Sequence, residues 1–191
     1  MGIFRKLYHA ETDEQLLQLV AQENNAAFDE LYSRFGQKMF SYFFRMLWKN
    51  KELAEDCTQD LFVKIWKHAG SFDSGKQFST WMYSMASNMC KNEYRQHEIK
   101  NSKLQLMKSS NSISAPNPDM KRFKEAVHTS VQDLAEEKKL LYVLRFQENL
   151  SVPQISEIMS IAEGTVKSRL FYLMKEMKDK LHHFENIITY P

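Results

Sequence analysis

The side chains best suited to chemistry in this chain lie near its C-terminal end and suit base contacts rather than catalysis. Apolar residues spaced three or four apart from Val166 to Leu181 predict the buried face of a long helix. Cations, hydroxyls and aromatic rings lie between them and should face outward: Thr165, Lys167, Ser168, Phe171, Tyr172 and Lys175. Exposed rings among cations and hydroxyls are unusual on a purely solvated surface, and they match the chemistry that reads base edges.

A second, shorter helix should position this one. The stretch Ser151-Val152-Pro153-Gln154 predicts a helix start with a capping box and a proline just inside it. We expect this helix to end near Ser160, and the long helix to begin at Gly164-Thr165 after a tight turn. A short helix, a turn and a long helix form the helix-turn-helix arrangement, whose second helix can enter the major groove. An ordinary helical hairpin with a charged outer face has the same pattern, so that alternative stays open.

A second group of side chains could hold unstacked bases. A helix predicted from Ser79 or Thr80 to about His97 carries aromatic, amide and cationic residues on one face: Trp81, Ser84, Asn88, Asn92 and Arg95. The short loop before it adds Phe72, Asp73, Ser74 and Lys76. Such side chains offer stacking surfaces and hydrogen bonds to bases that have left the duplex. The alternative is that Phe72, Phe78 and Trp81 only cover a hydrophobic core.

The third group is an acidic row on a helix predicted from Glu52 to His68. Leu53, Cys57, Leu61 and Ile65 repeat every four residues and should be buried. The opposite face should expose acids and an amide: Glu52, Glu55, Asp56, Gln59 and Asp60.

The remaining pattern predicts an all-α protein with two small helical domains. The first helix should begin at Thr12 with Gln15 completing a capping box, and the second should run from about Asn25 into the forties. That second helix should bury one stripe: Phe28, Leu31, Tyr32, Phe35 and Met39. Residues 101–118 hold five Ser, three Asn and two Pro, which is typical of a flexible linker. The predicted organisation is a domain over 1–98, a linker over 99–120 and a helix-turn-helix domain over 121–191.

Composition and charge exclude several classes of protein. The net charge is only +2, but residues 61–110 hold eight cations against three acids, while residues 11–30 hold six acids and no Lys or Arg. This asymmetry predicts a basic face and an acidic edge. Cys57 and Cys90 are too few to build a disulfide-stabilised secreted protein and fit reduced core thiols. No apolar run approaches the ~18 residues of a membrane span. We therefore expect a cytoplasmic protein without membrane insertion.

The sequence predicts no catalytic residue, no metal site and no cofactor. Residues 70–77 nearly match a phosphate-binding loop, but Gln77 stands where Ser or Thr must ligate magnesium, and the preceding segment is predicted to be helical rather than a strand. His182 and His183 with Glu185 lack a second ligand cluster, so a solvated helix end is expected there. No nucleophile lies in a pattern with a base.

Three motifs in order resemble the extracytoplasmic-function sigma factors, the small two-domain sigma factors of bacterial RNA polymerase. Residues 54–66, Ala-Glu-Asp-Cys-Thr-Gln-Asp-Leu-Phe-Val-Lys-Ile-Trp, resemble their polymerase-binding helix. Residues 78–83, Phe-Ser-Thr-Trp-Met-Tyr, with Ala-Ser-Asn at 86–88 resemble their −10 element helix, and residues 164–170 resemble their −35 helix. The last motif also resembles response-regulator helix-turn-helix domains, but the three motifs around a linker are highly specific. The resemblance covers about residues 12–98 and 121–184.

The resemblance implies partners and roles for these residues. It implies binding to the clamp helices of the largest subunit of the polymerase core through Glu55, Asp56, Gln59 and Asp60. The loop from Phe72 to Lys76, together with Asn88, would hold a base flipped from the −10 strand. The long helix of the helix-turn-helix would contact the −35 element of the promoter. Lys167, Ser168 and Phe171 would lie at base edges, and Arg169 would hold a phosphate. An anti-sigma factor is a further implied partner.

The chain departs from the family at several positions. Tyr172 stands where Arg is usual, and Leu173 and Met174 replace Ala-Arg. Ala135 replaces a usual Pro, and Gln154 and Ser156 replace Glu and Ala. The promoter preference therefore cannot be carried over from any relative, and we expect a −35 affinity lower than is typical of the family.

Two functions of other classes compete with a sigma factor. One is a stand-alone transcriptional regulator that binds operators without joining polymerase, and the other is an inert helical adaptor or a mimic that binds an anti-sigma factor. A regulator has no need of an exposed acidic row beside its DNA-reading surface, so the row from Glu55 to Asp60 favours the sigma factor.

Overall fold

The computed structural model describes residues 8–103 and 119–184, and the regular structure in these residues is entirely helical. The chain divides into two compact units, Met1–His97 and Glu98–Pro191. The predicted all-α fold with two helical domains is confirmed. Most of the predicted linker lies outside the described residues, and residues 99–103 continue the preceding helix.

The N-terminal unit is built from four helices, α1 (Asp13–Val20), α2 (Asn25–Met46), α3 (Lys51–His68) and α4 (Phe78–Lys103). Thr12 and Gln15 form the expected capping box at the start of α1. A 3₁₀ turn, Ala69–Ser71, follows α3. Across the unit, the carboxylate of Glu14 accepts a hydrogen bond of 2.9 Å from the backbone N–H of Phe78, which fixes the start of α4 against α1.

The long helix α2 supplies most of the core of this unit. Leu31, Met39 and Phe43 are fully buried, and so is Tyr42, whose hydroxyl lies 3.0 Å from that of Ser87 in α4. The expectation that Tyr32 is buried is wrong, because its side chain is 48% exposed and only the edge of the ring packs against Phe62.

A partly buried ion-pair network joins α2 to residues 8–13. Arg34 donates hydrogen bonds of 2.8 Å to the carboxylates of Glu30 and Asp13, and it also donates to the backbone carbonyls of Tyr8 and Glu11. Glu30 is only 7% exposed, and its hydrogen bond from Arg34 lowers the pKa of its carboxyl below the usual range. This network fixes the segment before α1 against α2.

The C-terminal unit contains α5 (Asp119–Gln132), α6 (Glu136–Tyr142), α7 (Val152–Met159) and α8 (Glu163–Lys180). A π-helical turn, Val143–Gln147, extends α6, and a 3₁₀ turn, His182–Phe184, follows α8. Ser151 and Gln154 form the expected capping box of α7, and Ser160 ends it in the left-handed conformation with φ 55°. Helices α7 and α8 form the predicted helix-turn-helix, with Val166, Leu173 and Met177 buried.

Candidate nucleic-acid and protein interfaces

Helix α3 presents the predicted acidic row to solvent. Asn50 caps the helix by accepting a 3.1 Å hydrogen bond from the N–H of Leu53. Ala54, Cys57, Leu61 and Ile65 are buried and fix the rotation of the helix. The opposite face exposes all the predicted residues: Glu52, Glu55, Asp56, Gln59 and Asp60. Leu53 is half-buried rather than buried.

A groove of about 540 Å³ lies between α2 and α3 beside this row. Glu55 and Gln59 line one wall, and Tyr32, Gly36 and Phe40 line the other. The sequence reasoning missed this wall because it placed Tyr32 in the core. The four-residue spacing of Tyr32, Gly36 and Phe40 is the signal that could have revealed a second face of α2. The acidic row therefore has apolar surface next to it, as protein interfaces require.

The thiol behind the acidic row is inert. Burial raises the pKa of Cys57 to about 12, and the nearby carboxylates of Glu93, Asp60 and Asp56 add to the effect. A thiol that stays protonated at neutral pH is a poor nucleophile. Cys57 therefore acts as a core side chain.

The loop before α4 brings two predicted aromatic residues together. The rings of Phe72 and Trp81 meet edge to face at 5.3 Å, and both are half-buried. Asp73 shapes the turn with two hydrogen bonds. Its carboxylate accepts one of 3.0 Å from the backbone N–H of Gly75, and its backbone carbonyl accepts one of 2.9 Å from the backbone N–H of Lys76. Phe78 is fully buried and packs against Phe35. Phe78 therefore belongs to the core, whereas Phe72 and Trp81 keep accessible surface, and their contact with bases stays a prediction.

The predicted face of α4 is half-buried at its start and exposed from Asn88 onward. Asn88, Asn92 and Arg95 all face solvent, and the guanidinium of Arg95 donates a 2.9 Å hydrogen bond to the amide oxygen of Asn92. Ser84 is half-buried and bonds back to the carbonyl of Thr80. In the loop, Asp73, Ser74 and Lys76 are also exposed. Amides, a cation and ring surface thus share one side of the N-terminal unit.

Helix α8 exposes the residues that were predicted to face DNA. Thr165, Lys167 and Ser168 are exposed, and Phe171 and Tyr172 are each 67% exposed, with their rings 5.5 Å apart. Lys167 lies 3.9 Å from Glu163 one turn earlier.

Arg169 differs from its neighbours on α8 because it faces α6. Its guanidinium donates a 2.9 Å hydrogen bond to the carboxylate of Glu137. Sequence reasoning did not anticipate this pair, because the two residues are 32 positions apart and no local spacing relates them.

Trp48 is a further exposed aromatic residue, and it lies just beyond the end of α2. The helix ends at Met46, and Trp48 and Lys49 follow in the left-handed conformation with φ of 50° and 58°. The Trp48 ring stacks on His97 at 4.2 Å and meets Tyr94 edge to face. The Tyr94 hydroxyl in turn donates a hydrogen bond to the carbonyl of Met46. These contacts hold the C-terminal end of α2 against α4.

Other site types have no basis in the part of the chain that the structure describes. No group of three or more His, Cys, Asp or Glu side chains there could hold a metal ion. The side chain of His183 and the whole of Glu185 fall outside the part of the chain that the structure describes. None of the described helices is both long enough and apolar enough to cross a membrane. The loop at Gly70 follows a helix and not a strand, in agreement with the exclusion of a phosphate-binding loop.

Two family models match the chain, and together they cover more than half of it. The model of Sigma-70 region 2 matches residues 31–98, which contain the acidic row and the face of α4. The model of Sigma-70, region 4 matches residues 124–177, which contain the helix-turn-helix. The chain belongs to the sigma-70 family. These two regions, together with the similarity to relatives named as ECF sigma factors, make it a two-domain sigma factor of the extracytoplasmic-function type.

Relatives of known function span nearly all of this sigma factor. It is 28% identical to the RNA polymerase sigma-H factor of Pseudomonas aeruginosa, over 84% of this chain and 89% of that one. It is 28% identical to the ECF RNA polymerase sigma-E factor of Haemophilus influenzae, over 89% and 95% of the two chains. The ECF sigma factor SigW of Bacillus subtilis is 26% identical, over 84% and 94%.

Two solved structures share the fold of this sigma factor. CnrH, solved in complex with the cytosolic domain of CnrY, matches with a TM-score of 0.68 at 19% identity, over 90% of this chain and 97% of that one. RpoE of Bartonella quintana, solved with the anti-sigma factor NepR, matches with a TM-score of 0.61 at 21% identity, over 81% and 96%. The family models and the relatives confirm the predicted function: the protein associates with RNA polymerase and directs promoter recognition, and it is not a stand-alone regulator.

Proposed function

We propose that three surfaces of this sigma factor have separate binding roles in transcription initiation. The acidic row on α3 binds the clamp helices of the largest polymerase subunit, the loop and exposed face of α4 hold the −10 element, and α8 reads the −35 element. The corresponding domains are 1–98 and 121–191, with a linker over 99–120. The protein acts in the cytoplasm and leaves the chemistry of RNA synthesis to the polymerase core.

The observation that carries this proposal is the exposure of the whole acidic row over a buried apolar stripe. Glu55 lies 3.5 Å from Lys51 one turn earlier, but both side chains are exposed, so the carboxylates and the amide of the row are accessible to cations and amides on a partner. The groove beside it adds Tyr32 and Phe40, whose rings can be desolvated at the centre of an interface. Glu55, Asp56, Gln59 and Asp60 then bind polymerase, and these two rings join them.

The polymerase surface is tested with Asp56→Ala/Gln59→Ala. Both side chains are exposed, so the double variant should keep its melting temperature, because such changes usually alter stability by no more than about 0.5 kcal/mol. Affinity for the core enzyme should fall by about 2–5 kcal/mol, the typical loss of a desolvated charged contact. The measurements are thermal melting and titration of core polymerase.

A matched control removes one amide and one acid elsewhere. Gln22 and Glu98 are exposed and lie outside α3, so Gln22→Ala/Glu98→Ala should bind core polymerase as the wild type does. Equal affinity of the α3 variant and this control would remove the acidic row from the interface. If the wild type itself does not bind bacterial core enzyme, the whole proposal fails.

The −10 surface combines stacking and hydrogen bonding on one side of the N-terminal unit. Phe72 and Trp81 keep accessible ring surface, and Asn88 and Asn92 offer amides to a base edge. The ammonium of Lys76 and the guanidinium of Arg95 suit the strand's phosphates, while Asp73 and Ser74 form the rim of the loop. A base that leaves the duplex needs both a stacking surface and hydrogen-bond partners.

The −35 surface is the outward side of α8, made by Thr165, Lys167, Ser168, Phe171 and Tyr172. The helix-turn-helix arrangement places the first turns of its second helix in the major groove. On DNA, Arg169 leaves the carboxylate of Glu137 and binds a backbone phosphate instead. An anti-sigma factor is proposed as a further partner, in keeping with the complex of RpoE and NepR, which shares this fold.

A further inference from the structure

The outward side of α8 is dominated by two aromatic rings. Phe171 and Tyr172 are each 67% exposed, more than any other large hydrophobic side chain in the described residues. Their rings meet edge to face at 5.5 Å and so form one continuous apolar surface. Exposed rings of this size are costly in water, and a pair of them marks a contact surface.

The geometry of α8 places this ring pair where bases would lie. Successive residues of an α-helix are rotated by about 100°, so Ser168 points away from the buried side of Val166, Leu173 and Met177. Phe171 and Tyr172 follow one turn later, on either side of the line through Ser168. At a rise of about 1.5 Å per residue they lie about 12–14 Å along the helix from its start, in the third turn and directly after the turns that enter the major groove.

The arginine of α8 is poorly placed for guanine. Arg169 is the single arginine between Glu163 and Lys180, and its guanidinium is bound to Glu137 on the side of α6. Of the lysines, Lys167 lies 3.9 Å from Glu163 at the edge of the outward face, and Lys175 is exposed on the outward side about one turn beyond the two rings. The bidentate contact of an arginine with guanine, the commonest specific contact in the major groove, is therefore not available from this face.

We propose that Phe171 and Tyr172 select the −35 element by packing against thymine methyl groups. This inference rests on the proposed −35 role of α8 and names the base that the role requires. Thymine is the base that carries a methyl group into the major groove, and aromatic rings there are recognised to contact it. Two rings in contact can cover the methyl groups of one or two neighbouring base pairs, so the preferred −35 element contains thymine at one or two adjacent positions opposite the ring pair.

The test begins with selection by the complete protein. Full-length sigma factor, assembled with core polymerase, is used to select promoters from a DNA library with a randomised −35 region, and thymine should be enriched at one or two adjacent positions. Each selected thymine is then replaced by deoxyuridine, which removes only the methyl group. Affinity of the holoenzyme should fall about fourfold per methyl, the value expected for one buried methyl group.

Substitutions in α8 connect this loss to the two rings. In Phe171→Ala or Tyr172→Ala, replacing the matching thymine by deoxyuridine should have no further effect, whereas Tyr172→Phe should respond as the wild type does. Met174 is the matched control, because it is an apolar residue of α8 that is 48% exposed but lies off the outward line. Met174→Ala should keep the full fourfold response. Melting temperatures should be unchanged in all four variants.

The outcomes separate this inference from the function on which it rests. If the selection yields no −35 preference, the proposed role of α8 fails and the inference fails with it. If a preference appears but deoxyuridine is tolerated, the role of α8 stands and the thymine inference is overturned. If both alanine variants keep the wild-type response to deoxyuridine, the rings serve another purpose, such as binding a protein, and the inference is again overturned.

Discussion

Asn88 lies midway along the exposed face of α4, between the half-buried ring of Trp81 and the guanidinium of Arg95. Its amide can donate and accept at the same time, which suits the Watson–Crick edge of a base. It makes no contribution to the core, because its side chain is exposed while those of Ala86, Ser87 and Cys90 on the other side are buried. At the scale of the residue, recognition and stability are therefore separable on this helix.

The variant Asn88→Ala should lose selectivity without losing stability. We expect weaker preference at one non-template position of the −10 element, by about 1–3 kcal/mol, because one base contact is lost. The measurement is promoter opening by the holoenzyme on templates with each base at each −10 position. Gln96 is also an exposed amide of α4 but lies two turns, or about 12 Å, beyond Asn88, so Gln96→Ala should behave as the wild type. Unchanged selectivity of Asn88→Ala at every position would remove Asn88 from the site.

Arg34 gives a second prediction, which concerns stability and pH. Arg34→Met should lower the free energy of unfolding near neutral pH by about 1.5–3 kcal/mol, the range for hydrogen bonds to charged groups. Arg34 lowers the folded pKa of Glu30, so its stabilisation is present above the ordinary pKa of 4.5 and is lost as the pH falls through the lower folded value. The difference between variant and wild type should therefore shrink below about pH 4.5.

Urea unfolding across a pH series measures this difference. Lys38 is an exposed cation one turn further along α2, and Lys38→Met should show no comparable dependence on pH. A constant difference between Arg34→Met and the wild type at all pH values would show that the Glu30 carboxylate does not contribute through its charge.

At the scale of the element, helix ends are set by short polar motifs. Thr12 and Ser151 each begin a helix with the same capping box, one in each unit. In both, a glutamine three residues later accepts a 2.8 Å hydrogen bond from the backbone N–H of the cap residue. Such boxes satisfy backbone groups that the helix leaves unpaired at its start.

The two boxes allow a matched pair of variants. Thr12→Ala and Ser151→Ala should each cost about 1 kcal/mol, the typical loss of an N-cap hydroxyl, and each should affect mainly its own unit. Amide hydrogen exchange resolves the two units, and protection should fall in α1 for the first variant and in α7 for the second. Thr12→Ser and Ser151→Thr keep the hydroxyl and should stay close to the wild type. Loss of protection in both units from either change would contradict local capping.

At the scale of the whole molecule, the chain divides into two compact units. The Ser-, Asn- and Pro-rich composition of residues 101–118 predicts that limited proteolysis cuts between about residues 100 and 121 and releases two folded pieces. Mass spectrometry of the fragments locates the cut, and circular dichroism of each piece should show helix. A single resistant fragment that spans both units would contradict independent folding of the two domains.

The sequence by itself determined the helices, the caps and the exposed rows of this sigma factor. The acidic row on α3 and the outward residues of α8 follow from local periodicity. A helix with a single apolar stripe turns that stripe to the core, which sets its rotation and exposes the opposite face. The capping boxes at Thr12 and Ser151 depend on residues three apart and need no tertiary contact. These features require information only from residues close in the chain.

Tertiary structure decided which apolar residues are buried and which charged residues meet. Helix α2 has aromatic residues on most sides, so only its packing partners could bury Tyr42 and leave Tyr32 beside the groove. Arg169 and Glu137 are brought together by the packing of α8 on α6. The periodicity of one helix specifies its faces, but burial depends on the neighbouring helices, and contacts between distant positions leave no local signal in the sequence.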